Sequence, residues 1–195
     1  QHAVVSNNAI GLENYNIVDW IAGEDQAPFT ALTTADQTAL SDFLARGGAL
    51  FISGSKIGYE LQNTSFYANT LHAAYVAADA QTYKANATSS GLFNGLGTIN
   101  FDDGSHGMYD ADYADVFAPI NGAASSLVYN TASAALQYAN GCTRLIYSGI
   151  PFETIYPQSK RQALMTRIIG FLGVCLRAEK VFLPVIFNNY TPPQP

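Results

Sequence analysis

Charged side chains are scarce: Asp, Glu, Lys and Arg make up 12% of the 195 residues, against 48% hydrophobic. Polar surface must therefore come mostly from Ser, Thr, Asn, Gln, Tyr and the backbone, a balance more typical of secreted than of cytosolic chains. The nine Lys and Arg are scattered, with Lys160 and Arg161 as the one adjacent pair, and the net charge is −6. Phosphate backbones are bound by clustered cations, so a nucleic-acid partner is excluded. Also missing is any apolar run near the roughly 18–20 residues of a membrane span; the stretch Ile168 to Leu176 is broken by Gly170 and Gly173. Neither an initiator Met nor the apolar block of about 7–15 residues of a secretory leader is present, and Gln1 reads as a processed or trimmed end. No Gly-x-Gly-x-x-Gly stands at a strand–helix junction and there is no P-loop, which leaves nucleotide binding without support.

Cysteine is nearly absent too. Cys142 and Cys175 permit one internal pairing, and their spacing rules out a two-cysteine zinc knuckle. One precedes an apparent strand and the other closes the helix that follows, so a disulfide and two small buried thiols both fit; an oxidising compartment would favour the bridge.

What is there alternates. Asn16 to Ala22 is a short Ile/Val-rich run ended by Gly23, a buried strand. Thr34 with Gln37 reads as a capping box, and Leu40, Phe43 and Leu44 at helical spacing predict a helix from Thr34 to Arg46 stopped by Gly47. Ala49 to Ser53 is a second buried strand, giving a right-handed βαβ unit. A helix over roughly Ser65 to His72 is expected, then Ala74 to Ala77, then short strands and loops from Thr82 to Asn100. Phe101 to Pro119 is acidic and turn-rich, hence expected at the surface. Short strands at Ser126 to Asn130 and Leu136 to Ala139, a buried strand at Thr143 to Ser148 and an amphipathic helix from Ser159 to Leu176 complete the pattern. It predicts an α/β fold in three layers, with residues 179–195 as an edge strand marked by Pro184 and a flexible tail.

The candidate chemistry is sparse. A nucleophile elbow needs small residues two places either side of the nucleophile; around Ser55 these are Ser53 and Ile57. Ser53 and Ser55 still end a strand, where α/β proteins place ligands. The three histidines, His2, His72 and His106, read as structural, although a Ser55, Glu60, His72 relay can be written down. Glu153, just past the last core strand, can face the same crevice, cap the following helix or pair with Arg144. Asp102, Asp103, Asp110, Asp112 and Asp115 cluster among glycines and His106. Carboxylates on such a loop suit Ca²⁺; they equally suit turns capped by Asp.

The segments "YNIVDWIAGED", "LTTADQTALSDFLARGGALFISGSKIGYEL", "FYANTLHAAYVAAD", "GIPFETI" and "RQALMTRIIGFL" together resemble the flavodoxin-like, class I glutamine amidotransferase-like domains of secreted bacterial multidomain proteins, attached to extracellular peptidases, cell-wall amidases and so-called xanthan lyases. The resemblance implies a Rossmann-like, mostly parallel sheet with helices on both faces over residues 1–178, and an earlier βα unit that this chain begins too late to supply. It also implies a Cys at the elbow and a late His-x-Glu pair, and this sequence has neither. The function expected is thus an accessory, non-catalytic domain at the C-terminus of a secreted enzyme, binding a ligand, a glycan, cell-wall material or neighbouring domains of the same polypeptide, with no cofactor. One alternative is an extracellular hydrolase or lyase (peptidase, amidase or polysaccharide lyase) using Ser55, Glu60, Glu153 and His72 or His106. The other is a module stabilised by Ca²⁺ at Asp102, Asp103, Asp110 and Asp112.

Overall fold

A computed structural model describes residues 11–23, 30–130, 132–175 and 181–186, the last segment as backbone. The chain runs β1 (Tyr15–Gly23), α1 (Thr34–Ala45), β2 (Ala49–Gly54), a short α2 (Ile57–Leu61) and one π-helical turn (Phe66–Thr70). It continues through β3 (Ala73–Ala77), β4 (Lys84–Ala87), β5 (Thr98–Phe101), β6 (Val116–Pro119), β7 (Ala124–Val128), β8 (Ser133–Asn140) and β9 (Thr143–Ser148). The two-residue β10 (Ile155–Tyr156), α3 (Gln158–Leu172) and β11 (Val181–Ile186) follow.

Alternation along the strands sorts the side chains into two cores. Val18, Trp20, Leu50, Ile52, Leu145 and Tyr147 face α1, where Leu40, Phe43 and Leu44 cover them. Ile17, Ile21, Phe51 and Ile146 face the other way and meet Leu164, Ile168 and Leu172 of α3. Strands buried on both faces have little need of polar residues, which is why β2 is buried along its whole length. The cap of α1 is one residue earlier than the sequence pattern suggests. Thr33 Oγ1 accepts from the Asp36 amide at 3.2 Å while the Asp36 carboxylate accepts from the Thr33 amide at 2.9 Å. A carboxylate outcompetes the amide of Gln37, whose Nε2 donates to the Leu32 carbonyl instead.

The sheet is mixed, and this corrects the expected three-layer, Rossmann-like, mostly parallel sheet. Its strand order is β10-β5-β4-β7-β8-β9-β2-β1-β11, with β3 joined through β6 to β8. Only the β1–β11, β1–β2 and β2–β9 pairings are parallel; the seven others are antiparallel. The cause is in the connections. Parallel neighbours need a long crossover, whereas antiparallel ones close through tight turns. Among the described residues between Leu61 and Ser148 there is no crossover helix: the expected helix at Ser65 to His72 is a single π turn leading straight into β3. A two-residue turn, Gly141 and Cys142, then sets Asn140 opposite Thr143 in the β8–β9 hairpin. The place beyond β1, where an absent first βα unit was expected, is taken by the chain's own β11. There Pro184 lies opposite Asp19 at the sheet edge, where a missing amide donor is tolerated. The tail beyond Ile186 lies outside the described residues.

A disulfide joins Cys142, in the β8–β9 turn, to Cys175 beyond α3, with a Cα–Cα distance of 5.4 Å. It closes a loop of 33 residues that contains β9 and the whole of α3. Replacing both cysteines by Ser is expected to lower unfolding free energy by about 3 kcal/mol through the freer denatured chain, with an unchanged native CD spectrum. Urea titration of the two forms checks it; equal midpoints would show that the bridge adds no constraint.

Candidate functional site

The carboxyl ends of β1, β2 and β9 converge, and the turn from β2 into α2 forms the tip. Gly54 is required there: a Cβ on it would come within 2.8 Å of Ala22 Cβ and 3.0 Å of the Gly23 carbonyl. The Ser55 amide donates to that same carbonyl at 3.2 Å. Lys56 then takes a left-handed conformation, φ 65° and ψ −2°, which costs a non-glycine residue on the order of 1 kcal/mol. This has the form of an elbow, with a lysine at its tip. The Lys56 ammonium lies 5.1 Å from the ring centre of Tyr113, itself left-handed at φ 56°.

Beneath the tip sits Asp115, fully buried. Its carboxylate accepts from the backbone amides of Gly58 at 2.5 Å and Tyr59 at 3.2 Å, and lies 3.4 Å from the Tyr147 hydroxyl. Two glycines admit it. A Cβ on Gly149 would stand 2.5 Å from the Asp115 carbonyl, and one on Gly58 would stand 2.5 Å from the Tyr67 hydroxyl and 3.1 Å from the carboxylate. Burial pushes the Asp115 carboxyl up to about 7, against the lowering pull of the two amides and Tyr147. Burial likewise raises Tyr67, Tyr129 and Tyr147. The hydroxyls of Ser53, Ser55 and Tyr129 are buried here without a hydrogen-bond partner. Two adjacent amides at a strand–helix turn are the donors that an oxyanion site uses. In this chain its own carboxylate already occupies them.

Glu60, His72 and Glu153 of the conceivable relay each bond or stack elsewhere, and none is hydrogen-bonded to Ser55. Ser55 Oγ has no partner, so no imidazole activates it. Glu60 accepts from the Ala31 amide at 2.9 Å and so ties down the segment leading into α1. His72 stacks on Tyr138 with ring centres 3.8 Å apart, and burial lowers its pKa. His106 stacks on Tyr156. Glu153, on the α3 side, accepts from the Tyr109 hydroxyl at 2.6 Å through Oε1, while its Oε2 has no partner.

Sequence reasoning passed over Asp19, a buried carboxyl in the middle of β1 whose Oδ1 is also unpartnered. Burial, and next the charge of Glu153, raise it to about 7; Glu153 itself is raised by burial and held back by the Tyr109 hydrogen bond. One Asp inside "NIVDWIA" was the available signal. Asp115 was misplaced for the opposite reason, because it ends an acidic stretch expected wholly at the surface.

Of that stretch, Asp102, Asp103 and His106 offer ligand atoms within 4.8 Å of one another. Their hydrogen bonds fit a folded turn. Asp102 is buried, and its two oxygens accept from the His106 and Met108 amides, each at 2.8 Å; Asp103 accepts from the Ser105 amide. Asp110 accepts from the Tyr83 hydroxyl and pairs by backbone with Asp103. Ca²⁺ asks for six to eight oxygens, and the loop's most buried carboxylate is already committed to amides.

No family model matches the chain, and no curated protein does. Solved structures do. Gan42B, a GH42 β-galactosidase from G. stearothermophilus, aligns at a TM-score of 0.56 and 14% identity over 85% of this chain and 22% of its own. The β-galactosidase from Bacillus circulans sp. alkalophilus aligns at 0.55 and 12% over 85% and 24%. The N-terminal domain of mmIFT52 aligns at 0.56 and 13% over 88% and 82%. At such identities the likeness is one of fold, and this chain spans only about a quarter of the length of the β-galactosidases it matches. These findings correct the flavodoxin-like, amidotransferase-like kinship suggested by the quoted segments: the sheet is mostly antiparallel, and its counterparts include segments of glycoside hydrolases. Among the described residues no helix is long and apolar enough to cross a membrane.

Two measurements follow from the buried acids and the acidic loop. Asp19 and Asp115 bind protons more tightly folded, at about 7, than at the ordinary 3.8, so stability should fall as pH rises from about 4 to about 7 and level off above. Asp19→Asn should shrink the loss between pH 5 and pH 8 by on the order of 1–3 kcal/mol in urea titrations; an unchanged loss would refute the assignment to Asp19. For the loop, millimolar Ca²⁺ and a chelator should give melting temperatures within about 1 °C of each other, since only native-state binding raises them. A larger Ca²⁺-dependent rise would make the turn a cation site.

Proposed function

We propose that this chain is an accessory, non-catalytic domain of a larger secreted carbohydrate-active polypeptide, presenting surfaces to a glycan and to neighbouring domains. The observation that carries this reading is Asp115. Its carboxylate fills the two amides at the elbow from the inside, and a negative charge cannot develop on a substrate oxygen where a buried carboxylate already sits. Ser55, in the same turn, has no hydrogen-bonded base, and the residue at the tip is the half-buried Lys56.

The carbohydrate part of the reading draws on the folds of the β-galactosidases, in which the matching segment is domain-sized and makes up 22% and 24% of the chain. The secreted part draws on the low charge and the disulfide, which persists in oxidising compartments.

The test is direct. The purified chain should hydrolyse neither nitrophenyl glycosides nor nitrophenyl esters above the uncatalysed rate, and Ser55→Ala and Glu153→Gln should leave that background unchanged. Turnover that either substitution abolishes, in a variant whose CD melting curve is intact, would reverse the reading.

A further inference from the structure

At the other end of the sheet, beside the amino end of β9 and the last turn of α1, lies an open cleft of about 480 Å³. Pockets for small ligands run from roughly 300 to 1,000 Å³. Ser41 of α1, Asn69 and Thr70 of the π turn, His72, and Tyr138 and Asn140 of β8 line it, with Leu44 and Leu145 as its apolar wall.

Its chemistry is specific. No Asp, Glu, Lys or Arg lines it. The Ser41 and Thr70 hydroxyls stand 3.0 Å apart, each with further donor or acceptor capacity. The side-chain amides of Asn69 and Asn140 enter no hydrogen bond among the described residues. His72 is held in a left-handed conformation, φ 55°, by its carbonyl accepting from the Ile120 amide at 2.9 Å and by Asn121 bonding the π turn at the Ala68 carbonyl. Its ring lies nearly flat on Tyr138, at 20°. Its Nδ1 is shut off from solvent without a well-formed hydrogen bond, and the Asn121 backbone beside the ring pulls its pKa up against the larger effect of burial. Burial holds the imidazole below its ordinary pKa and therefore uncharged at neutral pH.

A charged ligand would find no counter-charge here, and a purely apolar one would strand two amides and two hydroxyls. What satisfies the lining is a molecule bearing several hydroxyls around an apolar ring face. We infer that this cleft binds a neutral sugar of one or two residues, its hydroxyls on Asn69, Thr70 and Asn140 and its C–H face against the His72–Tyr138 ring pair. The inference rests on the carbohydrate reading above and gives it a site.

Amide NMR titration of the ¹⁵N-labelled chain with galactose, mannose and lactose, and with glycerol as the polyol control, tests it. At least one sugar should give saturable shifts confined to residues 41–45, 69–72 and 138–145, with Kd on the order of 1 mM or below. Asn140→Ala, at an exposed turn, should weaken binding about 5-fold or more through one lost hydrogen bond. His72→Gly relaxes the backbone while deleting the ring, and should abolish binding without lowering the melting temperature. Absence of saturable shifts with all three sugars, equal shifts with glycerol, or binding unaltered by both substitutions overturns the inference. Sugar turnover in the assay of the preceding subsection would overturn the non-catalytic reading while leaving this site standing, so the two failures are distinguishable.

Discussion

A single buried carboxylate organises the carboxyl end of the sheet. Asp115 accepts from the first amides of α2 through its side chain, and its backbone amide donates to the Gly149 carbonyl at 3.2 Å as the chain leaves β9. It thereby fastens the exit of one central strand to the helix that follows another, immediately before β6 begins. Charge-assisted bonds of this kind contribute about 1.5–3 kcal/mol each, while the desolvation of an unpaired ion costs several. Desolvation outweighs the amide bonds, as a carboxyl whose proton is held up to about 7 shows. Gly54, Gly58 and Gly149 are the places where the chain gives up side chains so that this junction can close.

That closure explains the unequal construction of the sheet. Where β1, β2 and β9 lie parallel, helices cover both faces and the two cores are separated by the strands themselves. Beyond β9 the chain turns back through β8 and β7 by short connections, and the sheet extends antiparallel to β10. β10 leads directly into α3, whose Arg161 donates to the carbonyls of Glu153 and Ile155. The far antiparallel strands are thus returned to the α3 side of the parallel ones.

The buried strands and both long helices were legible in the sequence because each depends on local pattern: Ile, Val and Phe runs ended by glycine, and Leu and Phe at helical spacing. Pairing direction was not legible. It depends on what the residues between Leu61 and Ser148 fail to form, and "FYANTLH" satisfies a helical pattern while folding as one π turn. The tip of the elbow was half legible. The poor match around Ser55 was readable, but the left-handed Lys56 and the carboxylate arriving from a residue 57 positions further on were not. Asp19 and Asp115 look alike in composition to any surface acid. Only the strand around the first, and the tertiary packing of the second, makes them buried titrating groups.

The two ends of the parallel strands have been treated by opposite physics. At the carboxyl end, where parallel strands commonly receive ligands, the adjacent Gly58 and Tyr59 amides are satisfied from within, and the hydroxyls of Ser53 and Ser55 are buried. At the amino end, the exposed side-chain amides of Asn69 and Asn140 border an open cleft, and a strained histidine is stacked into place. Strain persists where the surrounding structure enforces it. Here the enforcing contacts, the Ile120 amide on the His72 carbonyl and Asn121 on Ala68, come from the β6–β7 turn. A segment outside the cleft therefore sets the shape of its wall, and the capacity to bind belongs to the fold as a whole.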